Sequence, residues 1–200
     1  MNANFQVEQN VGVKVSRRKD KIDRLLLTGK FFIEHWRKDK KLGTYKFNNG
    51  ITDEGKKKIL DLYFYYTDTE VPDDSTYGVY IGLINTGASL AAADTYVSHA
   101  GWTEYTNYKV SAADKRGKWT TGAASGSGTV SITNGSAITY DIDGAGGTVY
   151  GVFVCSGTIT EIEAQSDTTA GNKLWATGAF ASEIPVLLGD QLKITYTVNC

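Results

Sequence analysis

Short segments with a strand-like alternation of side chains follow one another through most of the chain, separated by turns rich in glycine and asparagine. In residues 79–84 a β-branched or aliphatic residue alternates with Tyr or Gly, which is the period of a strand with one apolar face. Residues 148–155 are almost continuously apolar, as expected of a central strand buried on both faces. The pattern predicts strands in these segments: 30–37, 44–47, 79–84, 102–108, 118–120, 129–133, 137–142, 148–155, 173–180, 184–188 and 192–198.

Turn signals indicate how neighbouring strands connect. Asn134-Gly135 predicts a tight turn, after which the strand 137–142 returns antiparallel to 129–133. The charged segment 38–43 predicts the surface turn of a hairpin, and Gly189-Asp190 predicts a turn before the last strand. Because no helix is predicted among the strands after residue 78, this region is expected to form a sandwich or a jelly roll.

One helix is predicted near residues 52–64, ahead of the β-rich region. Thr52 is a suitable N-cap residue, and Asp53 and Glu54 lie in the first turn, where carboxylates interact favourably with the positive end of a helix. Ile51 precedes the cap and is expected to pack back onto the helix. The acidic segment 65–77 is expected to be a surface loop.

These elements together predict a mainly β protein, a jelly-roll or immunoglobulin-like β-sandwich with one short α-helix. The expected domain covers residues 30–200 and is preceded by an extended N-terminal arm, residues 1–29. The 22 glycines and only 2 prolines suit tight turns between many strands. No run of eighteen apolar residues occurs, so no membrane contact is expected. No secretory signal is expected at the N-terminus.

The charge is unevenly distributed along the chain. Residues 1–60 carry 15 Lys and Arg against 7 Asp and Glu, whereas residues 61–200 carry 6 against 15. A basic end on an acidic body is typical of an arm that meets an acidic partner, either a protein surface or nucleic acid; the alternative is a solvated charged segment. The acidic body argues against nucleic-acid binding outside the arm. The candidate partner contacts are the basic residues of the arm: Arg17, Arg18, Lys19, Lys21 and Arg24.

Candidate catalytic residues are few. Asp94, Ser98 and His99 have the residue types of a nucleophilic triad, but no nucleophile elbow surrounds the serine. A loop whose polar side chains satisfy turn backbone is therefore the preferred interpretation. His35 alternates with apolar residues and is expected to be structural, because no partner is nearby in the sequence. We therefore expect no enzymatic activity and no catalytic residue.

Metal and cofactor sites are not expected either. The segment Asp141 to Gly144 lacks the further oxygen ligands of a calcium loop, and two His with two distant Cys cannot compose a zinc cluster. Glu161 and Glu163 alternate on a predicted surface strand. Cys155 is expected to pack as a small hydrophobe and Cys200 to be exposed; a bridge between them is the minor alternative. The four tryptophans, predicted as core or interface rather than sugar-stacking residues, are Trp36, Trp102, Trp119 and Trp175.

An ordered series of short motifs spans most of residues 30–198. They are His35-Trp36-Arg37, 47–52 with Gly55, 80–84, 92–95, 98–105, 173–176, and Gly189-Asp190 with 192–197. In this order the motifs resemble a family of small tailed-bacteriophage virion structural proteins. The arm lies outside the resemblance, and the family supplies no catalytic residues.

The resemblance implies a virion structural protein, made in the host cytoplasm, that binds the capsid exterior as a decoration or cement protein. The implied partner is the major capsid protein, with self-association or many copies on a symmetric virion. One module that contacts several subunits gains avidity without strong individual contacts. The alternative is a tail, neck or fibre component, or an adsorption module that binds host glycan. Exposed aromatic residues in loops at one end of the sandwich would favour the glycan alternative.

Overall fold

The computed structural model describes residues 27–60, 76–126 and 130–199. Most of the expected arm, with its five candidate contacts, lies outside the described residues. Cys200 and the part of the expected helix after residue 60 also lie outside them. The structure is mainly β, which confirms the predicted fold class.

Eleven strands and two short helices occur in the described residues. Their bounds, in chain order, are β1 Thr28–Arg37, β2 Lys40–Ile51, α1 Asp53–Leu60, β3 Tyr77–Asn85, β4 Glu104–Tyr105, β5 Tyr108–Lys109, β6 Gly117–Lys118, β7 Ser131–Thr133, β8 Ile138–Ile142, β9 Gly147–Thr158, α2 Ile159–Ile162, β10 Lys173–Val186 and β11 Asp190–Asn199.

The strands form two antiparallel sheets. The front sheet has the order β2-β1-β11-β8-β5, with β7 paired beside β11. The back sheet has the order β10-β9-β3-β4, with β6 also paired to β3. The two sheets join at one edge, where Gly50 and Ile51 of β2 pair with Thr177 and Ala176 of β10. The result is a nearly closed sandwich.

Two hydrophobic cores lie on opposite sides of the back sheet. The first core fills the sandwich and contains Ile33 of the front sheet and Val152 of the back sheet. The second core lies on the outer side of the back sheet, beneath the loop 86–103 and helix α2, and contains Trp102 and Ile162. Strand β9 contributes to both, because alternate residues of a strand point to opposite faces.

The start of the predicted helix and the β1–β2 hairpin are found as expected. The Thr52 hydroxyl accepts a hydrogen bond from the Gly55 amide at 3.1 Å, as an N-cap residue does. The hairpin turn is shorter than predicted, since only Lys38 and Asp39 separate the strands. Both residues have positive φ angles, 44° and 62°, as a type I′ turn requires.

The predicted strand 102–108 is wrong. It is divided into β4, which pairs with the back sheet, and β5, which pairs with the front sheet. The chain crosses between the two sheets at residues 106–107. Tyr105 and Tyr108 are three residues apart, so one continuous strand would point them to opposite faces. Both are buried in the first core because each belongs to a different sheet of the sandwich.

The predicted turn at Asn134-Gly135 does not form a hairpin. Strands β7 and β8 lie end to end along β11, which pairs with β7 at Thr197–Asn199 and with β8 at Gln191–Ile194. The Asn134 side chain fills the gap between them: it accepts from the Tyr196 amide at 2.8 Å and donates to the Ile194 carbonyl at 3.2 Å. The Asn134 side chain thus makes the two hydrogen bonds to β11 that the backbone of a paired strand would make in this gap.

Two further predictions are wrong at the C-terminal end. The segment 173–180 and the first three residues of the segment 184–188 belong to one strand, β10, which ends at Val186 and whose pairing with β9 shifts between Ala179 and Ile184. The segment with Glu161 and Glu163 is not a strand, because α2 ends just before Glu163. None of the described helices is long and apolar enough to cross a membrane.

Candidate interaction surfaces

In the loop with the triad residue types, Asp94 and His99 both contact Trp102, and the Ser98 backbone amide donates to the Thr95 hydroxyl at 3.1 Å. The Asp94 carboxylate accepts from the Trp102 indole at 3.0 Å and from the Ala91 amide at 2.9 Å. His99 contacts the Trp102 carbonyl through Nδ1 at 3.1 Å and stacks on the indole with a centroid distance of 3.9 Å. Asp94 and His99 are thus engaged by Trp102, and the hydrogen-bond chain of a triad is not formed.

A buried charged cluster lies beneath this loop. Arg116 is 2% exposed, and its Nε and Nη2 donate to the two carboxylate oxygens of Glu104 at 2.9 and 2.7 Å. Its Nη1 donates to the Tyr96 hydroxyl and the Ile162 carbonyl, and Nη2 also reaches the Asp167 carbonyl. All five N–H groups of the guanidinium therefore have acceptors within the protein.

The hydrogen bonds and the charge of Arg116 determine whether this cluster can bind a ligand. Burial opposes its charge, but the hydrogen bonds and charge of Glu104 outweigh burial and raise the pKa of Arg116. Burial also raises the pKa of the neighbouring Cys155 thiol to about 12, so this free cysteine stays protonated. A cavity of about 200 Å³ beside the cluster is lined by Trp102 and Phe153. Arg116 therefore has no donor left for a ligand. Its hydrogen bonds instead hold the loop 86–103, strand β4 and helix α2 together.

The acidic residues considered as calcium ligands have other partners. Asp141 accepts a hydrogen bond from the side-chain amide of Gln191 at 2.7 Å, and Asp143 forms an ion pair with Lys109. The hydrogen bond from Lys109 lowers the pKa of Asp143. Among the described residues, no group of three or more His, Cys, Asp or Glu is arranged to hold a metal ion.

His35 has a partner that sequence proximity could not reveal. Its Nε2 lies 2.6 Å from the carboxylate of Asp190, which is fully buried. Arg37 donates to the same carboxylate from Nε at 2.6 Å and from Nη2 at 2.9 Å. Burial alone would raise the pKa of Asp190, but the hydrogen bonds from Arg37, the Leu187 amide and His35 hold it well below its usual range.

This buried carboxylate supports a turn that displays two leucines. Asp190 accepts from the Leu187 amide at 3.0 Å, and its own amide donates to the Leu187 carbonyl at 2.9 Å. Gly189, with φ of 84°, donates its amide to the Ile142 carbonyl. Leu187 and Leu188 are 55% and 67% exposed. We call residues 187–190 the leucine turn.

Basic side chains flank the leucine turn. Arg37 pairs with Asp190 across the front sheet and with Lys40 across the hairpin, so the tip with Lys38 lies at the same end of the sandwich. Arg37 is paired with the buried Asp190 carboxylate, so the remaining charges of the hairpin tip are those of the exposed Lys38 and Lys40 against Asp39. The end therefore combines an apolar tip with positive charge.

A second surface is the outer face of the front sheet. Phe32 and Trp36 lie on the outward row of β1 and are half-buried. The Lys46 ammonium lies 5.3 Å from the centroid of the Phe32 ring. The ammonium groups of Lys193 and Lys41 lie 4.7 and 5.6 Å from the Trp36 ring, within cation–π range. We call this set the lysine–aromatic face: Lys30, Phe32, Trp36, Lys41, Lys46 and Lys193.

Positive charge predominates on this face. Glu34, which lies between Phe32 and Trp36 on the same row, pairs with Lys41, and that hydrogen bond lowers the pKa of Glu34. The outward positions beside the lysines on β2 and β11 are uncharged Thr44, Thr195 and Thr197. The face is thus locally basic although residues 61–200 are acidic.

The other tryptophans serve packing. Trp102 is 6% exposed in the second core. Trp119 is half-buried and donates its indole N–H to the Tyr196 carbonyl at 3.1 Å. Trp175 packs against the first core.

The sequence interpretation missed both surfaces. Exposure of Leu187 and Leu188 was hidden within an apolar segment that was assigned to a strand. The lysine–aromatic face had a weak signal, since Lys30, Phe32 and Trp36 share one strand face, but Lys46 and Lys193 come from distant parts of the chain. Comparisons of the chain with protein-family models, curated proteins and solved structures gave no match.

Proposed function

We propose that the protein is a non-enzymatic virion structural protein that decorates the capsid exterior and binds neighbouring subunits of the major capsid protein. The resemblance of its motifs to tailed-phage virion proteins supports this function. The structural observation that carries it is the leucine turn, an apolar tip held rigidly at one end of a sandwich.

The leucine turn has the properties of an interface anchor. Complete burial of a leucine side chain contributes about 1.5–3 kcal/mol, and more than half of each leucine is still exposed. The hydrogen bonds of Asp190 and Gly189 hold the backbone in one conformation, so little ordering is needed on binding. A few such anchors dominate most protein interfaces.

The surroundings of the turn specify the partner surface. Because the exposed Lys38 and Lys40 flank the leucines, the complementary site on the capsid is an apolar pocket with an acidic rim. The basic residues of the N-terminal segment, including Arg17 and Arg18, add a second contact to an acidic surface. Two weak contacts from one module on a repetitive shell reinforce each other.

The test measures binding of the full-length protein to purified undecorated capsids. The double variant Leu187→Ser with Leu188→Ser is compared with Val97→Ser, which removes a 53% exposed apolar side chain from a different loop. We expect saturable binding that raises the capsid's melting temperature, at least a tenfold loss for the leucine variant, and no change for Val97→Ser.

Two outcomes would overturn the proposal. Absence of binding to capsids, with binding to purified tails instead, would place the protein in the tail or neck. Equal binding of the wild type and the leucine variant would remove the leucine turn from the interface. Thermal unfolding of each variant controls for loss of the fold.

A further inference from the structure

We infer that the lysine–aromatic face binds single-stranded nucleic acid, with bases stacked on Phe32 and Trp36 and phosphates held by the surrounding lysines. This inference goes beyond the proposed function and does not depend on it, because the face and the leucine turn are different surfaces.

The composition of the face favours a polyanion over another protein surface. Lysine is depleted in the cores of protein interfaces, yet Lys46, Lys41 and Lys193 stand directly beside the two rings. Aromatic rings set among basic residues are the arrangement with which proteins bind single strands without sequence preference. The expectation that nucleic acid does not bind outside the arm rested on the acidic body, and this face has the opposite charge.

The geometry suits an extended strand. Phe32 and Trp36 are four residues apart on one face of β1, which separates them by about 13 Å along the strand. This distance far exceeds the 3.4 Å rise between stacked neighbouring bases. The two rings therefore receive two non-adjacent bases of an unstacked chain. Lysines of β2 and β11 lie on both sides of β1, where they reach the phosphates of a strand that runs along it.

In the free protein the lysines make cation–π contacts with the two rings, and these contacts must break when a base binds. The ammonium groups that now lie over the rings must move aside by side-chain rotation to admit a base. Lysine side chains have flexible four-carbon stems and rotate readily. The front sheet itself needs no rearrangement, since both rings are fixed on a central strand paired on each side.

The test uses full-length protein and a fluorescently labelled oligothymidylate of about 12 nucleotides, within the site sizes known for single-strand binders. Trp36→Ala removes a ring without altering charge, so any binding by the basic N-terminal segment is unchanged. We expect this variant to bind about five- to a hundredfold more weakly, as the loss of one stacked base predicts. The salt dependence of binding should stay the same.

The charge of the face is tested with a matched pair of variants. Lys46→Ala with Lys193→Ala removes two lysines from the face, and Lys56→Ala with Lys57→Ala removes two from helix α1. Loss of two phosphate contacts should make the slope of log K against log salt shallower by about 1.4. The helix variant should retain the wild-type slope.

Two results would overturn the inference. If Trp36→Ala binds the oligonucleotide as tightly as the wild type, or if both lysine pairs have equal effects, the face is not the site. If polyglutamate of equal charge binds as tightly as the oligonucleotide, and Trp36→Ala weakens the binding of neither ligand, the face selects negative charge rather than nucleic acid. Thermal unfolding confirms that each variant is folded.

Discussion

At the scale of single residues, Asp190 shows how one buried carboxylate connects distant parts of the chain. It is fully buried and accepts hydrogen bonds from Arg37 and from the Leu187 amide. His35 contacts the same group. A buried charge is tolerated only when its hydrogen-bonding capacity is filled, and four contacts fill it here, three from β1 and one from the leucine turn itself. The leucine turn depends on this arrangement.

Replacement of Asp190 by Asn should lower the free energy of unfolding by about 1–3 kcal/mol at pH 7, because an amide cannot accept all of these hydrogen bonds. Asp53→Asn is the control, since Asp53 is exposed and makes only a surface pair with Lys56. Urea denaturation measures both. A change for Asp190→Asn no larger than for Asp53→Asn would contradict the structural role of the carboxylate.

The difference in the free energy of unfolding between the wild type and Asp190→Asn depends on pH, because the pKa of Asp190 is lowered in the folded protein. Its carboxyl titrates near 3.8 in the unfolded chain and well below that in the folded protein. Ionised Asp190 therefore contributes stability that is fully present above pH 4 and is lost as the pH falls through the folded pKa. The stability gap between the wild type and Asp190→Asn should narrow below pH 4 in the same denaturation experiment.

At the scale of elements, Asn134 joins two short strands into one continuous edge. Its side chain is 5% exposed and contacts the backbone of both Tyr196 and Ile194. It also donates to the Ser136 carbonyl at 2.7 Å. Strand β11 therefore keeps its hydrogen bonds in the gap between β7 and β8.

Replacement of Asn134 by Ala should leave a buried amide and a buried carbonyl of β11 without this partner. We expect a loss of about 1–3 kcal/mol in the free energy of unfolding and faster hydrogen exchange at the Tyr196 amide. Asn48→Ala, at an exposed position of β2, should change neither quantity. Unchanged exchange at Tyr196 would show that β11 does not depend on the side chain.

The sequence predicted where most strands lie, but it did not predict which strands pair with each other. Alternation distinguishes inward-facing from outward-facing residues, and it predicted β1 and β11 within a few residues. The continuous apolar segment 148–155 predicted β9. Alternation does not reveal which strand lies beside another, and the Asn134-Gly135 signal suggested a hairpin where a side chain bridges a gap. Likewise, the pattern of residues 102–108 suggested one strand, although Tyr105 and Tyr108 belong to two sheets.

Site features were harder to predict than the fold, for a related reason. The partner of His35 is 155 residues away in the sequence, and three of the four lysines of the lysine–aromatic face come from β2 and β11 rather than from β1. Such sites are assembled by strand register, which a single sequence does not specify. The residues Asp94, Ser98 and His99 were interpreted from the sequence as a loop rather than a triad, and the contacts of Asp94 and His99 with Trp102 agree with that interpretation.

At the scale of the whole molecule, strand β9 makes the two hydrophobic cores dependent on each other. Val152 and Val154 pack in the first core, whereas Phe153 and Cys155 pack in the second. Loss of β9 would remove part of both cores at once. The ion pair of Arg116 and Glu104 adds a further link, because Glu104 belongs to β4 of the back sheet and Arg116 contacts the Ile162 carbonyl in α2.

The two cores should therefore unfold in a single transition. Ile33→Val in the first core and Ile162→Val in the second are matched substitutions, since both side chains are fully buried. Each should lower the free energy of unfolding by about 0.5–1.5 kcal/mol, and circular dichroism and tryptophan fluorescence should give coincident curves for both variants. A fluorescence transition that precedes the loss of β-structure in Ile162→Val would mean that the second core, with Trp102, opens independently. Coincidence would mean that the outer loops are held as firmly as the sandwich, because β9 cannot leave one core without leaving the other.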